Sequence, residues 1–214
     1  MSGVLLLGTD CADVTDLASA LDAHLDSQPE VEGAGVDWAW AEALEAWRDA
    51  ASVGPAVDHI VVAPWSAPPE LSPLTAIGLD AWVARAELAL ARWVTAFGVA
   101  KLRCADGGVV VAVVDRPAPL DSAGWAPESG IADAVEALTR SLARSEGPRR
   151  VRVDAVTTPG RLTRGAVVDP SPPLATFPGS VLLEAVGAVR LLFEADALGI
   201  TGQVVHADCG RSWR

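Results

Sequence analysis

The chain has no tyrosine, and its 214 residues include only three cysteines and three histidines. Without tyrosine, no reaction that needs a phenol hydroxyl is open to the protein. Cys11, Cys104 and Cys209 stand singly, without a CxxC pair, and the histidines match no ligand spacing. We therefore expect neither a disulfide framework nor a metal site. Such cysteine usage is typical of the reducing cytoplasm, where we expect the protein to act.

Basic residues and long apolar runs are also scarce. Lysine and arginine total 16 against 28 acidic residues, which gives a net charge of -12. An acidic surface repels phosphate backbones and anionic membranes, so we expect no nucleic-acid or membrane partner. No apolar run reaches the roughly 18 residues that span a bilayer. The first residues, MSGVLLLGTD, lack the basic region of a signal peptide, and we interpret them as a strand.

Strand-like and helix-like segments alternate along the chain. The predicted strands are residues 3–9, 34–38, 59–63, 107–114, 151–158 and 202–208. The predicted helices are residues 13–25, 39–51, 78–103, 128–147 and 180–195. Because the strands are continuous apolar runs, the pattern indicates a parallel sheet covered by helices on both faces. One α/β domain over residues 1–214 is the prediction.

Three segments resemble the short-chain dehydrogenases/reductases. VRVDAVTTPG (151–160) resembles their IRVNAVAPG strand and turn, and DALGITGQVVHADCG (196–210) resembles their TGQ turn and last strand. AVEALTRSLA (134–143) resembles the segment just after their catalytic tyrosine and lysine. The resemblance implies a Rossmann-like doubly wound sheet and a place in an NAD(P)-dependent oxidoreductase complex.

The stretch LGTDCADV corresponds to the family's glycine-rich turn TGxxxGIG, which lets the cofactor pyrophosphate approach a helix N-terminus. Gly8 remains, but the other two glycines are replaced by Ala12 and Val14, and Asp10 and Asp13 add negative charge. The resemblance therefore implies that no dinucleotide cofactor binds. Gly8 is interpreted as part of a plain strand-to-helix turn.

The chain is also short between this turn and the segment DHIVVAPW (58–65), which corresponds to the family's DxLVNNAG. The deficit is close to one strand–helix unit, since a βαβ unit takes about 30 residues. We expect the second strand and its helix to be missing after the first helix. The end of that strand normally carries the group that reads the adenosine ribose.

The four catalytic positions of the family are all changed. Its asparagine, serine, tyrosine and lysine correspond to Ala89, Asp115, Glu128 and Ala132. Asp115 and Glu128 are expected near each other at the carboxyl edge of the sheet, where α/β proteins bind ligands. They could act as an acid–base pair, but we favour two carboxylates that face water in an unused site.

The helices over 78–103 and 128–147 correspond to the family's four-helix subunit interface. The second of them keeps an apolar stripe of Ile131, Val135, Leu138 and Leu142. In this family the C-terminal segment often reaches across an interface, and here it offers Arg211, Trp213 and Arg214 as partner contacts.

Together these features predict a catalytically inactive subunit that pairs with an active homologous reductase, or with itself, and supports the reductase's stability or substrate site. Two alternatives stay open. One is a small-molecule binding or regulatory module that uses the cleft where the family has its active site. The other is an enzyme with different chemistry based on Asp115 and Glu128.

Overall fold

The structure is a computed structural model that describes residues 3–31, 39–117, 123–162 and 181–208. Within these ranges six strands form one parallel sheet in the order β2-β1-β3-β4-β5-β6. The strands are β1 (Val4–Thr9), β2 (Ala23–Gln28), β3 (Val57–Ala63), β4 (Cys104–Asp115), β5 (Arg152–Thr158) and β6 (Val204–His206). The predicted Rossmann-like parallel sheet is confirmed.

The helices cover the sheet in two groups. They are α1 (Ala12–Leu21), α2 (Ala39–Ala51), α3 (Leu79–Trp82), α4 (Leu88–Arg103), α5 (Ala126–Glu146) and α6 (Val181–Phe193). A π-helical turn, Val83–Glu87, joins α3 to α4. Helix α1 packs against α6, whereas α4 packs against both α2 and α5, as expected when both faces of a sheet are covered.

The central strands are buried along almost their whole length. Every residue of β5 is buried, and so is the run from Val109 to Val114 in β4. Strands covered on both faces have no water-facing positions, which is why they appear in the sequence as continuous apolar runs. Among the described residues, no helix is both long and apolar enough to cross a membrane.

The first helix ends earlier than predicted, at Leu21. Asp22 follows it with a left-handed backbone (φ 53°), and β2 begins at Ala23 and pairs in parallel with β1. The prediction of one helix over 13–25 was wrong at its end because the apolar residues Leu21, Ala23 and Leu25 fit a strand period as well as a helix. The second strand, expected to be missing, is therefore present. The predicted strand at 34–38 lies outside the described residues.

Candidate functional site

A cleft of about 350 Å³ lies at the carboxyl edge of the sheet, where ligands bind in open α/β folds. Its walls come from the segments after β2 and β3, the π-helical turn, α4, the end of β4, the start of α5 and the turn after β5. The lining residues are Val31, Pro64, Trp65, Ser66, Ala67, Pro68, Pro69, Ala84, Arg85, Leu88, Ala89, Trp93, Val114, Asp115, Glu128, Ile131, Arg161 and Leu162.

Arg161 is the central charge of this edge. Its Nε donates to Asp13 at 3.0 Å, another nitrogen of the same guanidinium donates to Asp115, and a third donates to the main-chain oxygen of Ser66. The guanidinium carbon lies 4.6 Å from the centroid of the Trp65 ring. The arginine side chain is only 2% exposed. Arg161 therefore connects three parts of the chain: the start of α1, the loop after β3 and the end of β4.

Local packing fixes the turn that carries this arginine. The main-chain nitrogen of Gly160 donates to the Thr158 hydroxyl at 3.0 Å, and that hydroxyl donates to Glu184 at 2.6 Å. A Cβ at Gly160 would lie 3.1 Å from the Glu184 carboxylate, so a larger residue would be tightly confined. On the other side of the site, the indole of Trp65 donates to the main-chain oxygen of Val113 at 2.9 Å.

Asp115 is an unusual carboxylate. Its side chain is 16% exposed, and within the described part of the chain its Oδ1 has no hydrogen-bond partner. Burial raises the pKa of Asp115 to about 6; the attraction of Arg161 opposes the shift, whereas Asp13 and Glu128 add to it. Burial alone would lower the pKa of Arg161, but the carboxylates of Asp115 and Asp13 outweigh burial and raise it, so the guanidinium stays charged.

A second ion pair lies in the same cleft. Arg85, in the π-helical turn, donates from two nitrogens to the two oxygens of Glu128, both at 2.8 Å. The two side chains are 12% and 11% exposed. Glu128 is in the first turn of α5, where the helix dipole favours a negative charge. The geometry is the bidentate one that arginine and carboxylate prefer.

The predicted catalytic positions separate into two sets. Ala89, Asp115 and Glu128 line the cleft together, whereas Ala132 is fully buried in the core and does not line it. The proximity expected for the two carboxylates is thus observed. The interpretation that they face water was wrong, because each is mostly buried and each is paired with an arginine.

Gly8 is required by close packing at the end of β1. A Cβ there would lie 2.6 Å from Cγ1 of Val14 and 3.1 Å from the main-chain oxygen of Ala63. Val14 is fully buried, while Ala12 is exposed at the start of α1. These contacts explain Gly8 as part of a strand-to-helix turn. The space beside it is filled by the valine.

The end of β2, where the family reads the adenosine ribose, is also engaged by the protein itself. The side-chain amide of Gln28 donates to the main-chain oxygen of Arg92 at 2.8 Å and accepts from the Arg92 guanidinium at 3.2 Å. Gln28 is 2% exposed and Arg92 is 5% exposed. The polar group at this strand end is therefore bound to α4.

The predicted interface stripe on α5 packs largely on the protein's own core. Val135 is fully buried, and Ile131, Leu138 and Leu142 are half-buried against the core. Val135 therefore has no surface to offer, and an interface role for the other three stays a prediction. Arg211, Trp213 and Arg214 lie outside the described residues. No group of acidic, histidine or cysteine side chains in the described ranges could hold a metal ion.

Other apolar side chains remain exposed on the neighbouring helix. Val94 and Leu102 on α4 are 49% and 63% exposed and lie eight positions apart, close to one helical face. On α6, Leu191 is 59% exposed. Of these two helices, α4 lies in the range 78–103 that the resemblance associates with subunit contacts.

Two important residues of the site, Arg85 and Arg161, were not found by sequence reasoning. Arg161 had a usable signal, since it directly follows the Pro-Gly turn at the carboxyl end of a predicted strand. Arg85 had none, because its partner Glu128 is 43 residues away in sequence and nothing local connects them.

Solved structures similar to this one include short-chain dehydrogenases/reductases. One from Serratia marcescens is 21% identical, with 99% of this chain and 98% of that chain covered and a TM-score of 0.70. One of the glucose/ribitol dehydrogenase type from Brucella melitensis is 15% identical, with 98% and 96% covered and a TM-score of 0.72. A small-chain dehydrogenase in complex with NADPH is 16% identical, with both chains fully covered (100%) and a TM-score of 0.70.

At these identities the likeness establishes the fold. The chain has the Rossmann-like fold of the short-chain dehydrogenases/reductases, as the resemblance of its C-terminal half implies. No protein-family model matches the sequence, and no curated protein sequence matches it either.

Proposed function

We propose that this chain is a non-catalytic cytoplasmic subunit that pairs with an active homologous reductase and supports its stability or its substrate site. The observation that carries the proposal is the Arg161 contact set. At the edge of the sheet where the family binds its cofactor and reacts, the arginine holds Asp13 and Asp115 and covers Trp65. Both carboxylates are therefore engaged by the protein's own arginine.

The site does not fit a dinucleotide. The pyrophosphate would meet the carboxylate of Asp13 and the buried side chain of Val14, and the ribose would meet a Gln28 amide already bound to α4. Added negative charge beside Asp13 is unfavourable even though Arg161 is near, because this arginine is already shared by two carboxylates. One solved protein of the same fold holds NADPH.

Pairing is supported by the exposed apolar surface of α4. Val94 and Leu102 are exposed on a helix that packs against α5, and the resemblance places the family's subunit contact on these two helices. A homologous reductase carries matching helices and is the natural partner. The same surface could also pair two copies of this chain.

Co-expression with a reductase of this fold from the same source, one that keeps TGxxxGxG and YxxxK, tests the proposal. Mass photometry should show a hetero-oligomer, and V94E and L102E should each weaken it because a charge is buried at the contact. V53E is the matched control, since Val53 is 84% exposed after the end of α2. A chain that stays monomeric beside every such reductase would contradict the proposal.

A second candidate function is a small-molecule binding module, which the cleft of about 350 Å³ favours. The volume is that of an ordinary ligand site. The third possibility, acid–base chemistry by Asp115 and Glu128, is less favoured because Glu128 is held bidentately by Arg85. Turnover lost in both D115A and E128A would be needed to support it. Ligand-dependent thermal stabilisation of the isolated chain would support the binding module.

A further inference from the structure

The four charged residues that line the cleft bind one another as two arginine–carboxylate pairs. Arg85 binds Glu128 through two hydrogen bonds of 2.8 Å, and Arg161 binds Asp115. None of the four side chains is more than 16% exposed. Arg161 also binds Asp13, which does not line the cleft, so each of the four lining groups already has a partner of opposite charge and none is left for a ligand to pair with.

The rest of the wall is apolar. Apart from Ser66 and the four charged residues, every described residue that lines the cleft is aliphatic, proline or tryptophan. Trp65 and Trp93 supply large aromatic surfaces. A bound molecule would therefore gain from burying apolar area, and a charged group on it would lose its hydration without gaining a partner.

We propose that the cleft selects an uncharged, largely apolar molecule, with the Arg85–Glu128 pair as the device that keeps ions out. This inference rests on the second candidate function and names the ligand class for it. A cation or an anion that enters the cleft loses its hydration and finds every carboxylate and arginine already paired, so either ion is disfavoured. A neutral molecule meets neither cost.

The volume sets the scale of the ligand. About 350 Å³ is at the lower end of ordinary ligand pockets, and it suits a bicyclic or similarly sized molecule rather than a dinucleotide. Naphthylethanol, naphthylethylammonium and naphthylacetate are therefore suitable probes. They share one aromatic body and differ in the charge of one end.

NMR titration of the full chain with these three probes gives the first test. The alcohol should bind at least about tenfold more tightly than either ion, because a buried, unpaired charge is disfavoured by more than 1.4 kcal/mol. An ion that binds as tightly as the alcohol would overturn the selection rule while leaving the binding function intact. No binding by any probe would overturn the binding function as well.

Breaking the pair from either side gives the second test. R85M leaves Glu128 as an unmatched anion and should shift the preference toward the ammonium probe, whereas E128Q leaves Arg85 unmatched and should shift it toward the carboxylate. The double variant R85M/E128Q should return the preference to the alcohol. Unchanged preferences in the folded single variants would overturn the assigned role of the pair.

R116M is the matched control for these variants. Arg116 pairs with Asp133 and Glu136 on α5 and does not line the cleft. Its loss changes the net charge as R85M does, and the order of the three probes should stay that of the unmodified chain. If one variant fails to fold, the order of probes on the unmodified chain still decides the proposal.

Discussion

The two edges of the sheet hold their charges in different ways. At the carboxyl edge, Arg161 is 2% exposed, and its partners Asp13 and Asp115 are 12% and 16% exposed. At the amino edge, where β4 starts, Arg149 is 37% exposed and pairs with Asp106, which is 70% exposed, and with the buried Glu146. Both arginines hold two carboxylates, but only one of them does so away from water.

This difference in exposure indicates a different role for the charges at each edge of the sheet. A water-exposed ion pair contributes little to the free energy of unfolding, whereas a buried pair requires its charges to leave water and depends on every partner staying in place. The amino-edge cluster joins the end of α5 to the start of β4, since Arg149 also donates to the main-chain oxygen of Cys104. The carboxyl-edge cluster occupies the place where this fold binds ligands.

The largest effect is expected from removing the two arginines in turn. R161M leaves Asp13 and Asp115 mostly buried without their cation and should lower the free energy of unfolding by about 3–5 kcal/mol. R149M should cost about 1 kcal/mol, because its pairs are more exposed. Urea unfolding of both variants and the unmodified chain measures this. Equal losses would show that the two edges do not differ as described.

The two edges should also respond to pH in opposite directions. The pKa of Asp115 is raised from 3.8 to about 6 by burial, so its contribution to stability is fully present below about pH 4 and is lost as the pH rises through 6. The difference in pKa corresponds to about 3 kcal/mol. Relative to D115N, the unmodified chain should therefore gain stability when the pH falls from 7 to 4, as followed by urea unfolding.

Glu146 is the counterpart at the amino edge. Burial acts to raise its pKa, but hydrogen bonds from Arg149 and Lys101 outweigh burial and lower it. Its contribution is present above its ordinary pKa of 4.5 and is lost as the pH falls through the lowered value. Relative to E146Q, the unmodified chain should lose stability on acidification. The same sign for both carboxylates would contradict the contrast.

Close packing at the carboxyl edge gives a smaller effect that involves no charge. G8A places a Cβ 2.6 Å from Val14 and should cost about 1–3 kcal/mol. G130A, in the exposed part of α5 with no atom within 4 Å of its Cβ, should instead stabilise by about 0.5–1 kcal/mol. Thermal unfolding of the two variants compares them. A neutral G8A would mean that the turn has room that the structure does not show.

The sequence was sufficient for most of the fold because local patterns determine most of it. Continuous apolar runs identified β1, β3, β4 and β5, and α2 matches its predicted range of 39–51. The end of α1 was missed because apolar spacing in Leu21–Leu25 suits both a helix and a strand, and only the left-handed Asp22 separates them.

The candidate site could be predicted only in part. Asp115 and Glu128 were located because the resemblance aligns them with the family's serine and tyrosine, and their proximity was expected because both lie at the carboxyl edge of the sheet. Their partners were not, because Arg85 and Arg161 reach them across 43 and 46 residues of sequence through long side chains. Whether a carboxylate faces water or an arginine is a tertiary property, and the sequence pattern alone carries no sign of it.

The central claim is that the carboxyl edge of the sheet does not bind a nicotinamide dinucleotide. Titration of the isolated full chain with NADPH and with NADH, followed by cofactor fluorescence, tests it most directly, with an NADPH-binding reductase of the same fold as positive control. The account predicts no saturable binding up to about 1 mM, the upper end of ordinary enzyme affinities. Saturable micromolar binding of either cofactor would contradict it.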